Sequence, residues 1–287
     1  MKWEDREESE NVEDRRGIGK GAIAIGGGGI IIVIIALLLG INPQQLMGPG
    51  GQGQGGGAPG QGGEQPKDPA EEKVAHFTKV VFGDTERIWT EQFQKMGKEY
   101  IKPKLVLFTG EVQSACGMAD AAVGPFYCPG DSQVYIDLAF YKDMERQLNA
   151  PGDFARAYVV AHEVGHHVQR LLGYADRVDN ARRTGSKVEA NNMSVRLELQ
   201  ADFLAGVWAH HAQEKFDFLE RGDIESALNA ANQIGDDTLQ KRARGRVMPD
   251  SFTHGTSAQR TKWFKEGFRT GDIKEASQLF DLNYGQL

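Results

Sequence analysis

The sequence has little cysteine, no excess of positive charge and no repeated unit. Of its 287 residues only Cys116 and Cys128 are cysteines, and no Cys-x-x-Cys pair occurs, so a cysteine-based zinc site is not expected. The net charge of −7 leaves no basic surface for a polyanion, which argues against nucleic acid as a partner. No period of solenoid type recurs along the chain, which argues against a repeat protein.

One stretch lacks charge altogether. Residues 22–41 contain no Asp, Glu, Lys or Arg and end in a run of Ile, Val, Ala and Leu. Twenty residues of helix span about 30 Å, which is the thickness of a bilayer's apolar core. We therefore predict one transmembrane helix over 21–41. The alternative is a cleaved signal peptide, but the segment before it is rich in acids and no Ala-x-Ala-like site follows Leu39.

The charges around this segment predict its orientation. Residues 1–20 are crowded with acidic and basic side chains, which predicts a disordered tail. This tail ends in three cations, Arg15, Arg16 and Lys20, whereas no Lys or Arg follows the apolar segment until Lys67. The positive-inside rule then places the N-terminus in the cytoplasm and the remainder outside, in the periplasm of a bacterium with two membranes.

Beyond the apolar segment the chain divides into a linker and one folded domain. Residues 42–69 consist largely of Gly, Gln and Pro, which predicts a flexible linker. The domain is expected over 70–287. It opens with two predicted helices, 71–82 and 84–96, and a buried strand over 104–109.

Residues 112–140 predict a β-hairpin region that contains both cysteines. Outside the membrane, Cys116 and Cys128 are expected to form a disulfide, whereas free thiols would instead indicate a cytosolic domain. The strand predicted over 133–138 has two open interpretations. It is either ordinary sheet structure or an edge strand that pairs with an extended substrate.

The most informative motif is Ala-His-Glu-Val-Gly-His-His at residues 161–167. It contains His-Glu-x-x-His, the pattern of zinc metalloproteases, inside a segment with helical apolar spacing. On a helix, His162 and His166 share one face and can bind the same Zn²⁺, while Glu163 beside them can take a proton from water. The motif alone also arises by chance, and paired histidines can be ordinary surface or core residues.

A second helix, predicted from Ser194 to about residue 213, supplies what the first one lacks. Glu198 lies 32 residues after His166 and would complete a His₂Glu ligand set with one open position. Asp202 follows at i+4 and could accept the free N–H of a ligand histidine. The alternative is two ordinary solvated acids, but the helix is apolar, and acids that face a core need partners.

The remaining histidines divide into one candidate and four ordinary residues. His210 and His211 lie about three turns beyond Glu198 on the same predicted helix, too far to share its metal, and are expected at the surface. His167 and His76 are expected to be structural. The polar residues 176–192 predict a surface loop between the two zinc helices.

Several segments together resemble the bacterial neutral zinc metallopeptidase family, with a gluzincin-like arrangement of His-Glu-x-x-His followed by Glu-x-x-x-Asp. The matching segments are 116–117, 124–129, 134–138, 161–169, 198–202 and 254–257. The resemblance implies a zincin-like α+β domain that is mainly helical with a small β-sheet, and one Zn²⁺ per chain. Thermolysin-like enzymes stabilise the oxyanion with a histidine downstream of the zinc ligands, and His254 resembles that histidine. The alternative is that His254 only caps its loop.

The sequence therefore predicts a membrane-anchored zinc peptidase, an endopeptidase that acts on a peptide or protein substrate. Zinc would be held by His162, His166 and Glu198, with Glu163 as general base. The alternative from another class is a membrane-tethered zinc-binding interaction module without peptidase activity. Three ligands and an intact base favour the enzyme, because structural zinc sites are normally closed by four protein ligands.

Overall fold

A computed structural model describes residues 1–16, 68–120 and 123–287. Within these ranges the chain is a mainly helical α+β fold with two small sheets, as predicted. The helices are α1 (Pro69–Lys95), α2 (Ala139–Gln147), α3 (Asp153–Leu171), α4 (Tyr174–Thr184), α5 (Lys187–Phe216), α6 (Asp223–Gln233), α7 (Asp236–Arg244), α8 (Ser257–Thr270) and α9 (Gln278–Asp281). The strands are β1 (Val12–Asp14), β2 (Lys104–Phe108), β3 (Glu111–Ser114), β4 (Gly117–Asp120), β5 (Phe126–Cys128) and β6 (Gln133–Asp137).

The larger sheet has the strand order β1-β2-β6-β5, and β3 and β4 form a separate hairpin. β1, β2 and β6 are parallel, whereas β5 runs antiparallel to β6. The predicted strands over 104–109 and 133–138 are thus present as β2 and β6. However, β6 is paired on both sides, so it cannot be an edge strand that receives a substrate. In the part of the chain that the structure describes, the edge of the sheet next to β6 is β5.

The predicted disulfide between Cys116 and Cys128 is present. Cys116 lies in the turn between β3 and β4, and Cys128 is the last residue of β5. The bond therefore ties the small hairpin to the edge of the larger sheet.

Helix α3 lies at the centre of the core and packs against α1, α5 and α6. Its apolar residues Val160, Val164 and Val168 recur every four residues and are fully buried, as helical spacing predicts. Helices α5 and α8 make the most extensive helix contact in the described part of the fold. Glycines allow this contact, because a Cβ on Gly206 would lie 2.2 Å from Phe264 O.

The first long helix is continuous, which corrects the prediction of two helices separated at Gly83. α1 runs through this position, and Gly83 is buried inside it. A Cβ here would lie 3.0 Å from the backbone nitrogen of Ser9. The glycine therefore serves a close approach of the N-terminal segment and does not end the helix. The predicted loop over 176–192 is also wrong, because most of it is helical, in α4 and the start of α5.

Residues 1–16 are ordered against the domain, so the disordered tail predicted over 1–20 is wrong for this part. Strand β1 pairs with β2, and Trp3 is 5% exposed, with its indole N–H donating to Asp153 Oδ2 at 3.1 Å. The charges that indicated disorder have partners: Arg6 lies 3.0 Å from Asp84, and Arg16 lies 2.9 Å from Glu72. Composition counts charges but does not register their pairing, which is why it failed here.

Within the described residues, no helix has both the length and the apolar character needed to cross a bilayer. The span predicted over 21–41 lies outside the described residues, and so does nearly all of the linker predicted over 42–69. The linker's last two residues belong to the domain, since Asp68 caps α1 and Pro69 begins it.

Candidate metal centre and catalytic cleft

Three ligand side chains meet where α3 contacts α5. His162 Nε2 lies 3.3 Å from Glu198 Oε2, and His166 Nε2 lies 3.6 Å from Glu198 Oε1. We call these three residues the core cluster; their ligand atoms all lie within 4.8 Å of one another. Gly165 permits the approach of the helices, since a Cβ there would come within 3.1 Å of Ala201 O.

Asp202 is fully buried behind the core cluster and accepts hydrogen bonds from three side chains. His162 Nδ1 lies 2.8 Å from Asp202 Oδ1, and Tyr158 Oη donates to the same oxygen at 2.5 Å. The Arg260 guanidinium donates to both carboxylate oxygens, at 2.8 and 2.9 Å. With Nδ1 of His162 donating to this carboxylate, Nε2 is the nitrogen that faces Glu198, and it can bind a metal once its proton is released.

Gln169 orients the second imidazole in the same way. Its amide nitrogen donates to Leu197 O at 2.6 Å, so its oxygen is the atom 2.9 Å from His166 Nδ1. An amide oxygen can only accept, which makes Nδ1 of His166 the donor and leaves Nε2 free for a metal. Gln169 is fully buried, so this arrangement is held by packing as well as by hydrogen bonds.

The charges in the cluster balance one another. Burial alone would lower the pKa of His162, but the carboxylates of Asp202 and Glu198 outweigh it and raise the pKa to about 10. Burial would raise the pKa of Glu198, yet the neighbouring histidines hold it well below its usual range. The pKa of Asp202 follows the same pattern. Burial would raise it, but Arg260 and His162 lower it to about 2. The carboxylate oxygens thus carry negative charge and suit a cation.

The donor set fits zinc. Two imidazole Nε2 atoms and one carboxylate form a known catalytic set, and each imidazole is oriented through its other nitrogen by an acceptor. The converging lone pairs and the anionic Glu198 supply what such an ion requires. The site residues predicted from the sequence, His162, His166 and Glu198, are therefore brought together on one side, with Asp202 behind His162.

Glu163 lies beside the core cluster, in a cleft of about 370 Å³ that also exposes the three ligands and His254. Tyr127, on β5, lines the same cleft. Burial raises the pKa of Glu163 to about 7, partly offset by His162. A carboxylate with a pKa near neutrality can both accept and release a proton.

His254 reaches the same cleft from the loop before α8. Its Nδ1 lies 3.2 Å from Asp236 Oδ1. The other oxygen of Asp236 accepts the backbone N–H groups of residues 253, 254 and 255, at 2.7, 2.7 and 3.1 Å. Asp236 is fully buried and so fixes the loop and the histidine together. Burial lowers the pKa of His254, but Glu198 and Asp236 outweigh it and raise the pKa.

The other histidines lie away from the cleft. His167 is buried between Tyr127 Oη, at 3.0 Å, and Ile101 O, at 2.6 Å, which is a structural position. His76 pairs with Glu8 on the N-terminal segment. A second group of potential ligands lies at the end of α5; we call it the surface cluster, and it consists of His210, His211 and Glu214.

Four residues of the site were not singled out from the sequence. The spacing of Tyr158 could have indicated its place in the site, because it lies four residues before His162 and therefore on the same helix face. Gln169 likewise follows His166 at i+3. Arg260 and Asp236 carried no such signal, since their partners are 58 and 18 residues away in sequence.

Comparison with known proteins agrees with this geometry. The chain belongs to the family described as "Putative neutral zinc metallopeptidase", whose model matches residues 1–279. It is 49% identical over 277 residues to the uncharacterized protein YpfJ of Escherichia coli K12, which covers 95% of this chain and 96% of that one. It is 45% identical over 183 residues to the uncharacterized protein Rv2575 of Mycobacterium tuberculosis, which covers 60% of this chain and 61% of that one. No solved structure matches the chain significantly.

Proposed function

We propose that the protein is a zinc-dependent endopeptidase that hydrolyses peptide bonds with Glu163 as general base. The observation that carries the proposal is the position of Glu163: it shares a cleft with three converging ligand atoms and with His254. A binding module would need the ligands but not a carboxylate with a pKa near 7 beside them. Membership of a zinc metallopeptidase family supports the same class of reaction.

Different residues of the chain carry out different steps of peptide hydrolysis. When bound, zinc supplies Lewis acidity, which polarises a carbonyl and activates water. Glu163 accepts the proton of the attacking water and passes it to the leaving amine. His254, held by Asp236, donates a hydrogen bond to the oxyanion of the tetrahedral intermediate. Asp202 and Gln169 hold the two imidazoles in the required tautomers.

The substrate is proposed to lie along β5. This strand borders the cleft through Phe126 and Tyr127 and pairs, in the described part of the chain, only with β6. An extended peptide can hydrogen-bond to such an edge as an additional strand. Tyr127 and Glu163 line the same cleft, so a peptide on β5 would pass beside the base.

We further propose that the chain associates with a membrane through residues 21–41, which carry no charge and are long enough to span its apolar core. Sedimentation of the full chain with vesicles, compared with a chain that lacks 21–41, tests this part separately. Recovery of both chains in the supernatant would contradict it.

The test of the peptidase uses the full chain and a Glu163→Gln variant. Both are expected to bind one zinc ion in the core cluster, while the variant loses about 10²–10⁴-fold in turnover of a degenerate peptide mixture. A Glu99→Gln variant, changed at an exposed position, controls for loss of a carboxylate and should remain active. Full turnover by Glu163→Gln, or zinc binding without turnover by the unmodified chain, would contradict the peptidase proposal.

A further inference from the structure

The surface cluster repeats the ligand types of the core cluster at the other end of α5. His210 Nε2 lies 3.4 Å from Glu214 Oε1, and His211 Nδ1 lies 3.1 Å from Glu214 Oε2. The ligand atoms all lie within 4.8 Å of one another. His210 is 12 residues beyond Glu198, about 18 Å along the helix at 1.5 Å per residue. The two clusters therefore cannot share an ion.

Backbone carbonyls determine which nitrogen of each imidazole carries the hydrogen. His210 Nδ1 lies 2.8 Å from Phe268 O, and His211 Nε2 lies 2.9 Å from Gly271 O. A carbonyl oxygen only accepts hydrogen bonds, so these two nitrogens must donate. In the neutral imidazoles, His210 Nε2 and His211 Nδ1 then carry lone pairs, and both are directed at the Glu214 carboxylate.

A lone pair that faces a carboxylate is repelled by it, so each of these nitrogens either carries a second proton or shares a cation with Glu214. We propose that the surface cluster is a second metal site, which takes Zn²⁺ or a similar divalent first-row cation through His210, His211 and Glu214. Imidazole and carboxylate suit these ions. Metal–ligand bonds of 2.0–2.1 Å around a tetrahedral ion place neighbouring ligand atoms about 3.3 Å apart. The observed separations of 3.4 and 3.1 Å match that spacing.

The surroundings show that the imidazoles are held in place by the fold. The rings lie 5.0 Å apart at 82°, and His210 packs on Gly271, where a Cβ would come within 2.4 Å of the ring. Gly271 also has φ +61°, a conformation that favours glycine. All three ligands belong to α5, and the carbonyls at the end of α8 hold the two imidazoles toward Glu214. Glu214 is 62% exposed, so the ion would be reached from solvent.

Metal stoichiometry of the full chain tests this site. After removal of metal by a chelator, we expect dialysis against zinc to restore about two ions per chain, as a His₂Glu set at each cluster requires. His211→Ala and Glu214→Gln should each reduce the content by one ion and leave peptide hydrolysis unchanged. Two variants are used because Glu214→Gln keeps the exposed side chain's size and does not depend on repacking around the imidazole.

Matched controls separate the second site from unspecific binding and from the catalytic one. His76→Ala removes another histidine that pairs with a glutamate and should still bind two ions. His166→Ala should lose the core ion but keep the surface ion, so that failure of the peptidase proposal and of this one are distinguishable. A single ion that is lost in His166→Ala, or two ions in both His211→Ala and Glu214→Gln, would overturn the second site.

Discussion

The core cluster and the surface cluster offer the same kinds of ligand atom but differ in what orients their imidazoles. Side chains do this in the core cluster: Asp202 for His162 and Gln169 for His166. Main-chain carbonyls of α8 and the residue after it do so in the surface cluster. The core cluster also has the carboxylate of Glu163 beside it and opens into a cleft. A ligand set alone therefore indicates a metal, whereas its surroundings indicate whether chemistry follows.

After Glu163→Gln, the largest effect is expected at His254, which lies only in the core cluster's cleft. His254→Ala should lower kcat by about 10²–10³-fold, because it removes a donor to the oxyanion, with little change in KM or in zinc content. Steady-state kinetics on one peptide substrate measure this. His76→Ala is the matched control, and an unchanged kcat in His254→Ala would limit that residue to capping its loop.

Asp202 sharpens the comparison because it supports one cluster only. Asp202→Asn should weaken zinc binding at the core cluster by about 10–100-fold, since an amide is a poorer acceptor for His162 Nδ1–H. Competition with a chromogenic chelator measures the affinity, and His211→Ala in the background removes the surface ion from the titration. Equal weakening of the surface cluster, titrated separately in a His166→Ala background, would instead indicate a general loss of structure, which circular dichroism would detect.

Gly267 offers a way to disturb both clusters at once. A Cβ on this residue of α8 would lie 1.9 Å from Phe203 O, so Gly267→Ala should push α8 away from α5 and cost about 1–3 kcal/mol of stability or more. Helix α8 supplies Arg260 to the core cluster and Phe268 O to the surface cluster. Unfolding by urea and zinc content measure both effects. Gly285→Ala is the control, because nothing lies within 4 Å of its Cβ position.

The smallest effect is expected at Thr256, which caps α8 without touching either cluster. Its hydroxyl accepts the backbone N–H of Gln259, whose side chain reaches back to the cap. Thr256→Ala should cost about 1 kcal/mol of stability and leave zinc content at two ions. Thermal unfolding of the zinc-saturated protein measures it. Thr256→Ser keeps the hydroxyl and should restore stability; a serine variant as unstable as the alanine one would argue against the cap.

The sequence predicted those parts of the fold and site that depend on short spacings. The i,i+4 spacing of His162 and His166 placed them on one face of α3, and the apolar periodicity indicated that this segment is helical. The strands β2 and β6 followed from buried runs with clear boundaries. Such patterns are local, and one sequence suffices to detect them.

What was missed depends on contacts between distant residues. Nothing near Arg260 indicates that it reaches Asp202, 58 residues earlier. Gly83 was interpreted as a helix break because glycine usually has that effect, although here it admits the backbone of Ser9. His210 and His211 were expected to be plain surface residues, since the carbonyls that orient them come from about 60 residues further along the chain.

The pairing of β1 with β2 has a consequence for membrane topology. Val12 and Leu105 are register partners, so both must lie on the same side of any bilayer. A chain that crossed the membrane once between residues 16 and 68 would separate these two strands. The pairing therefore conflicts with the single crossing predicted from the flanking charges, and it is compatible with a membrane association that leaves residues 1–16 and 68–287 on the same side. Single cysteines placed at Glu4 and Lys265, in a chain whose native cysteines are replaced, can be labelled in intact cells to test this. Both positions are expected to react from the same side of the membrane, and reaction from opposite sides would contradict the pairing.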